Sequence, residues 1–278
     1  MGAETVAMMI SVLRQGVTVV GTRPAKLVAA HRGFHDGTAP YENTIPAFRR
    51  AIVLGADLLE TDVRRTADGV LVLHHDASID GVSIARSRLA DLPLLPSGER
   101  IGTLQELVDL TATTGGESRL LVETKEHGYE REIVSMLRAR LQPDQFSLFS
   151  FDLDSVRALR ELAPDSKVGV LVGFAPDWKT GHWALTGAQM VARARSVGAD
   201  FVSMTAMLAT NGALQALADA RIGAAVWTVD DRLQIQKFLA DTRVQTIITN
   251  HPDTAMALRD RRVPALLEPD VGRFAEAA

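Results

Sequence analysis

The chain has 278 residues, 46% apolar and 23% charged, with a formal net charge of −4 and no cysteine. This composition excludes an extensively disordered chain and gives no cationic footprint for nucleic acid. It also rules out disulfides, zinc–thiolate sites and a cysteine nucleophile, and it fits a reducing, cytoplasmic setting.

No stretch approaches the roughly 18 uninterrupted apolar residues of a membrane span. Val6 to Leu13 is apolar, but it follows Glu4 rather than a basic region and ends at Arg14. Val6, Met9, Ile10, Leu13 and Val17 recur at helical spacing. Residues 1–26 are therefore expected to form a helix packed on the domain, in preference to a targeting or membrane-surface segment.

From Leu27 onward, strand-like and helix-like stretches alternate. Leu27 to His31 reads as a strand. Asn43-Thr44 supplies the cap of a helix with Pro46 in its first turn and Gly55 as its stop. Ala56 to Val63 is a second strand. A turn at Asp68-Gly69 leads to an extra apolar run, Val70 to Leu73. Ala77 to Gly102 has weak periodicity and reads as a loop or small insertion. Thr103 with Glu106 forms a capping box for a helix to Thr111.

The alternation then becomes regular. Strands are expected over Leu120–Thr124, Phe146–Phe151, Val168–Val172, Phe201–Met204, Ile222–Val229 and Val244–Ile248. The helices after them are Tyr129–Leu141, Leu153–Ala163, Gly187–Val197, Gly212–Ala220, Arg232–Ala240 and Thr254–Arg261. Eight strands, each followed by a helix, predict a (β/α)8 TIM barrel over residues 27–262. Residues 77–102 are its short insertion, and 263–278 form an irregular tail. No Gly-rich dinucleotide fingerprint follows the first strand, which weighs against an open doubly wound sheet.

Barrel active sites lie at the carboxyl ends of the strands, and polar residues collect there. Strand one ends in His31-Arg32-Gly33, strand two carries Glu60 and Asp62, and the extra strand ends in His74-His75-Asp76. The next strand ends in Glu123-Thr124-Lys125. Alternation puts Glu60 and Asp62 on one face and Thr61 on the other. Two carboxylates in an apolar strand are costly to bury unless a cation lies between them. Each of these residues alone is more often a packing or ion-pairing group than a functional one, but together they point to a catalytic site. Glu60, Asp62 and Glu123 suit one hard divalent cation, Mg²⁺ or Ca²⁺. Arg32 and Lys125 suit an anionic substrate. Two histidines can supply a general base and a general acid. This set describes cleavage of a small phosphodiester.

The blocks His31-Arg32-Gly33, Glu42-Asn43-Thr44, Glu60-Thr61-Asp62-Val63, Asp68-Gly69 and His75-Asp76 closely resemble the glycerophosphodiester phosphodiesterase family. Glu123-Thr124-Lys125, Ser150-Phe151-Asp152, Trp227-Thr228 and Thr249-Asn250-His251-Pro252 resemble it in the same order. The resemblance implies a barrel hydrolysing glycerophosphodiesters to glycerol 3-phosphate and an alcohol. It implies that Glu60, Asp62 and Glu123 bind the metal and that His31 and His75, rather than His74, are catalytic. Arg32 and Lys125 match phosphate-contacting positions. Glu42 is expected to orient Arg32 or approach the metal, and Trp227 to line the substrate site. Where the family often has an arginine soon after His-Asp, this chain has Ser78-Ile79-Asp80-Gly81, which leaves the leaving-group side of the pocket open.

Phe34-His35 and a loop with Trp178, His182 and Trp183 add aromatics near the mouth. These either pack within their loops or touch a lipid chain or head group. The latter would suit a lysophospholipase D-like enzyme. A catalytically silent head-group-binding barrel is the non-enzymatic alternative.

Overall fold

A computed structural model describes residues 26–35, 41–173 and 185–260. Within it the apolar runs pair as parallel strands. β1 is Leu27–Ala30, β2 Leu58–Arg65, β6 Arg119–Thr124, β7 Phe146–Ser150, β8 Lys167–Val172, β9 Phe201–Thr205, β10 Gly223–Trp227 and β11 Thr246–Thr249. They are ordered β1-β11-β10-β9-β8-β7-β6-β2, and a β1–β2 pairing closes the ring. The helices that follow are α1 Ile45–Leu54, α2 Leu104–Ala112, α3 Glu130–Arg138, α4 Leu153–Leu162, α5 Gly187–Ser196, α6 Asn211–Asp219, α7 Arg232–Ala240 and α8 Pro252–Asp260. This is the expected (β/α)8 barrel. The packing helix expected within 1–26 falls on residues 1–25, which with the tail 263–278 and Trp178, His182 and Trp183 lie outside the described residues.

Alternation along each strand divides the core in two. Ala29, Leu58, Leu121, Phe149, Leu171, Ala225 and Ile248 fill the barrel interior. The residues between them pack outward against the helices, for example Val28, Leu59, Leu120, Leu148 and Val170. The caps work as the sequence implied. Thr44 accepts from the Ala47 amide at the start of α1, and Gly55 ends that helix at φ +86°. Thr103 and Glu106 cap α2 reciprocally.

Several boundaries shift for physical reasons. β2 continues to Arg65, because past the barrel rim it pairs antiparallel with β3, Leu71–Leu73. The strand expected over Ile222–Val229 is shorter. It starts only after the positive-φ residue Arg221 and ends at Trp227, beyond which the Val229 amide donates to the Ile248 carbonyl of β11 at 3.0 Å. Asn43 sits at φ +56° and caps no helix; Thr44 does that alone. The insertion holds a two-stranded hairpin, β4 Ser78–Ile79 and β5 Val82–Ser83, and two short 3₁₀ turns. Ile79, Ile84, Leu95 and Ile101 form a small core under it with Val72.

Candidate active site

The register of β2 on β6 builds the centre of the site. Asp62 pairs directly with Glu123 and Glu60 with Leu121, so the two carboxylates at the rim are neighbours and Glu60 lies one inward step below. One oxygen of each of Glu60, Asp62 and Glu123 lies within 4.8 Å of the others, and all three residues are buried. Lys125 Nζ stands 2.8 Å from both Asp62 and Glu123. Arg32 Nε is 3.0 Å from Asp62 Oδ2, and the Arg32 amide donates to Glu60 Oε2 at 3.0 Å. Asn43 Nδ2 donates to Asp62 Oδ2 at 2.8 Å, while its Oδ1 accepts from the Thr61 hydroxyl at 2.9 Å.

Burial raises carboxyl pKa values, and nearby cations lower them. Burial prevails at Glu60, which is held well above the usual range with Asp62 adding to the effect. It also prevails at Glu123, pushed up to about 7 against the pull of Lys125. At Asp62 burial is outweighed by Lys125 and Arg32, which hold it below the usual range. Three carboxylates thus face two cations, one of which, Arg32, is shared with Glu42. The negative charge is under-compensated. An all-oxygen donor set with surplus negative charge fits a hard divalent cation, so Glu60, Asp62 and Glu123 could hold one.

His31 leaves β1 into the barrel mouth. Its Nδ1 is 2.7 Å from Asn250 Oδ1. The Asp230 carboxylate accepts from Asn250 Nδ2 and from the Asn250 amide, each at 2.8 Å. A carboxylate only accepts, so it fixes the Asn250 amide with its oxygen towards the imidazole. His31 must then carry its proton on Nδ1 and leave Nε2 bare. Burial and then Arg32 push the His31 pKa down to about 4, which keeps the ring neutral. His75 lies off the end of β3 with Nδ1 2.8 Å from Asp76 Oδ1. Burial, then Lys125 and Arg32, lower its pKa.

A cavity of about 190 Å³ opens between these groups. His31, Arg32, Glu60, His75, Glu123 and Lys125 line one side, and Phe149, Phe151, Leu171, Trp227 and Ile248 the other. The Phe151 and Trp227 rings meet edge to face at 5.8 Å. His74 does not line this cavity; its Nδ1 lies 3.0 Å from the Asp76 carbonyl. Glu42 is brought to Arg32, whose Nη1 donates to both carboxylate oxygens at 2.8 and 3.0 Å, and not to the cavity wall. Phe34 packs on the outer core beneath the Arg50 guanidinium rather than at the mouth. Sequence reasoning did not single out Phe149, Leu171 and Ile248, or a role for Asn250 and Asp230. The period-2 alternation that selects Glu60 and Asp62 also aims the first three inward.

A (β/α)8 barrel that gathers two histidines, three carboxylates and two cations at the carboxyl ends of its strands is a barrel enzyme. The model of the glycerophosphoryl diester phosphodiesterase family matches residues 31–254, and the chain belongs to that family. A glycerophosphodiester phosphodiesterase of Caldanaerobacter subterraneus subsp. tengcongensis is 34% identical over 182 residues, spanning 57% of this chain and 71% of the relative. The crystal structure of one from Parabacteroides distasonis superposes with a TM-score of 0.68 at 26% identity, covering 86% of this chain and 99% of that one. A phosphodiesterase from Oleispira antarctica, solved in complex with the product sn-glycerol-3-phosphate, shares the fold with a TM-score of 0.68 at 22% identity, covering 85% of this chain and 97% of that one.

Proposed function

We propose that the enzyme hydrolyses glycerophosphodiesters such as glycerophosphocholine or glycerophosphoethanolamine to glycerol 3-phosphate and an alcohol, with one divalent cation, Mg²⁺ or Ca²⁺, held by Glu60, Asp62 and Glu123. The observation that carries this reading is one small cavity faced by both histidines, Glu60, Glu123, Arg32 and Lys125, with an Asp62 oxygen within 4.8 Å of the other two carboxylates. Bound there, the cation supplies positive charge against the non-bridging phosphoryl oxygens.

Arg32 and Lys125, beside the same carboxylates, bind the same anion. Glu42 holds the Arg32 guanidinium in place through its Nη1. Neutral His31, with Nε2 bare, is the general base that takes the proton of the nucleophile. The Asp76 carboxylate on Nδ1 opposes the lowering of the His75 pKa by burial, Lys125 and Arg32, and protonated His75, a readier proton donor for that lowering, is the general acid that donates its Nε2 proton to the leaving alcohol oxygen as the P–O bond breaks. Water can serve as nucleophile, as can the adjacent glycerol hydroxyl by way of a cyclic phosphate; phosphorus NMR of a partial reaction separates the two routes.

The test is turnover of glycerophosphocholine, glycerophosphoethanolamine and glycerophosphoinositol with Mg²⁺, with Ca²⁺ and with EDTA. Activity with a cation and its loss with EDTA are expected. No turnover of any of the three, or full activity in EDTA, overturns the reading. His31→Ala and His75→Ala should each lower kcat by roughly 10²–10⁴-fold.

The apolar half of the cavity, formed by Phe149, Phe151, Leu171, Trp227 and Ile248, supports a second reading. Phe151 is 42% exposed, so this wall runs out to the surface, where the acyl chain of a lysophospholipid would lie. A kcat/KM for lysophosphatidylcholine above that for glycerophosphocholine would favour it.

A further inference from the structure

We infer that Arg64 is the positioning residue for His75: it clamps the segment that carries this histidine onto the mouth of the barrel. The inference rests on the reading of His75 as general acid given above. Its grounds begin with the backbone. The His74 amide donates to the Asp62 carbonyl at 3.0 Å, and beyond that bond the chain leaves β3 for an irregular bend. The His75 side chain is 42% exposed, and its partner Asp76 is 73% exposed. An ion pair so open to solvent immobilises a ring weakly.

Arg64 supplies the missing restraint. It follows Glu60 and Asp62 at the same two-residue spacing on β2, past the rim where β2 turns outward with β3. Its Nε and Nη2 both donate to the His75 carbonyl, at 3.0 and 2.6 Å. A planar guanidinium fork on one oxygen fixes direction as well as distance. Its Nη1 forms an ion pair with Glu126, the residue after Lys125. The Tyr129 hydroxyl locks Glu126 in turn: it accepts from the Glu126 amide at 3.2 Å and also meets that carboxylate. The same hydroxyl lies 3.0 Å from the Val63 carbonyl. One side chain therefore ties the His75 segment to the ends of both strands that carry the acidic trio. Arg64 is itself only 13% exposed and does not line the cavity, so it acts through His75.

The experiment compares wild type, Arg64→Ala and Arg64→Lys on two substrates. Glycerophosphocholine has a leaving alcohol that needs a proton; the p-nitrophenyl ester of glycerol phosphate has a leaving group that needs none. A misplaced general acid penalises only the first. In Arg64→Ala, kcat for glycerophosphocholine should fall by about 10²-fold, the scale of a small misplacement of a catalytic group. KM should change by less than about threefold, and kcat for the p-nitrophenyl ester by less than about fivefold. Arg64→Lys, which keeps the charge but not the fork, should lie between. In parallel, the His75 ring signals in ¹⁵N-histidine NMR should broaden or shift in both variants, a readout that needs no turnover.

Equal losses on the two substrates, an unchanged kcat in Arg64→Ala, or unchanged His75 signals each overturn the inference. If Arg64→Ala fails to fold, Arg64→Lys carries the same comparison. A wild-type enzyme that turns over neither substrate sinks the proposed function instead, and the NMR comparison still judges whether Arg64 positions the ring.

Discussion

At the scale of single residues, the chemistry of His31 is set by neighbours rather than by its own sequence context. Asp230 orients Asn250, and Asn250 selects the tautomer of the ring. Replacing Asn250 with alanine frees the proton to sit on either nitrogen, so kcat should fall by about 10–10²-fold with KM little changed; an unaltered kcat would remove Asn250 from the tautomer argument. Burial gives a second consequence. The folded His31 pKa of about 4 lies below the unfolded value of about 6.5. Between those values the unfolded chain binds the extra proton, so folding stability is lost as pH falls from 6.5 towards 4. In chelated protein, the loss of stability attributable to His31 is the difference in pH dependence between wild type and His31→Gln. It should reach about 3 kcal/mol by pH 4, and urea melts at pH 7, 5.5 and 4 would measure it.

At the scale of elements, the β1–α1 turn holds His31 and Arg32 because Gly33 lets the chain pass against α1. Gly33 sits at φ +89°, and a Cβ there would lie 2.8 Å from Ala47 Cβ and 2.9 Å from its backbone. Gly33→Ala should therefore destabilise the fold by about 2 kcal/mol or more and displace Arg32, lowering kcat/KM as well; a thermal melt with a parallel assay checks both effects. The strand ends that carry His31, Glu60, Asp62 and Glu123 were legible in the sequence because β/α alternation is regular and barrel sites lie at carboxyl ends. The pairing of Asp62 with Glu123 was not legible, because register between strands some sixty residues apart leaves no local trace. The hairpin Ser78–Ser83 escaped the reading of 77–102 as a loop, since two-residue strands have no periodicity. Its signal was Asp80-Gly81, both at positive φ, the dipeptide that favours a tight hairpin turn. Arg64 was invisible for a further reason: its partners, a main-chain carbonyl and Glu126, exist only once β3 and β6 are in place.

At the scale of the whole molecule, a cation bound at the acidic trio would be coupled to the stability of the fold. Glu123, with a folded pKa of about 7 against an ordinary value near 4.3, binds a proton in the folded chain that the unfolded chain has lost. Stability contributed by protonated Glu123 is complete below about pH 4 and declines as pH rises through 7. Glu60, raised for the same reason, acts in the same direction. A divalent cation displaces those protons, so its affinity should rise with pH, and it should stabilise the protein most at high pH, where Glu60 and Glu123 no longer hold them. At a hundredfold excess over its dissociation constant, a ligand that binds only the folded state adds about 2.7 kcal/mol. In a chain of this size that corresponds to roughly 5–10 °C in Tm. Melts of EDTA-treated protein with and without Mg²⁺ or Ca²⁺ at a fixed concentration should show a larger gain at pH 8 than at pH 5.5. Glu123→Gln, which keeps the shape but removes the titrating charge, should raise the Tm of the chelated protein at pH 8 and shrink the gain from metal. A metal-induced shift that is absent, or equal at the two pH values, would mean that the trio is neutralised by Arg32 and Lys125 alone.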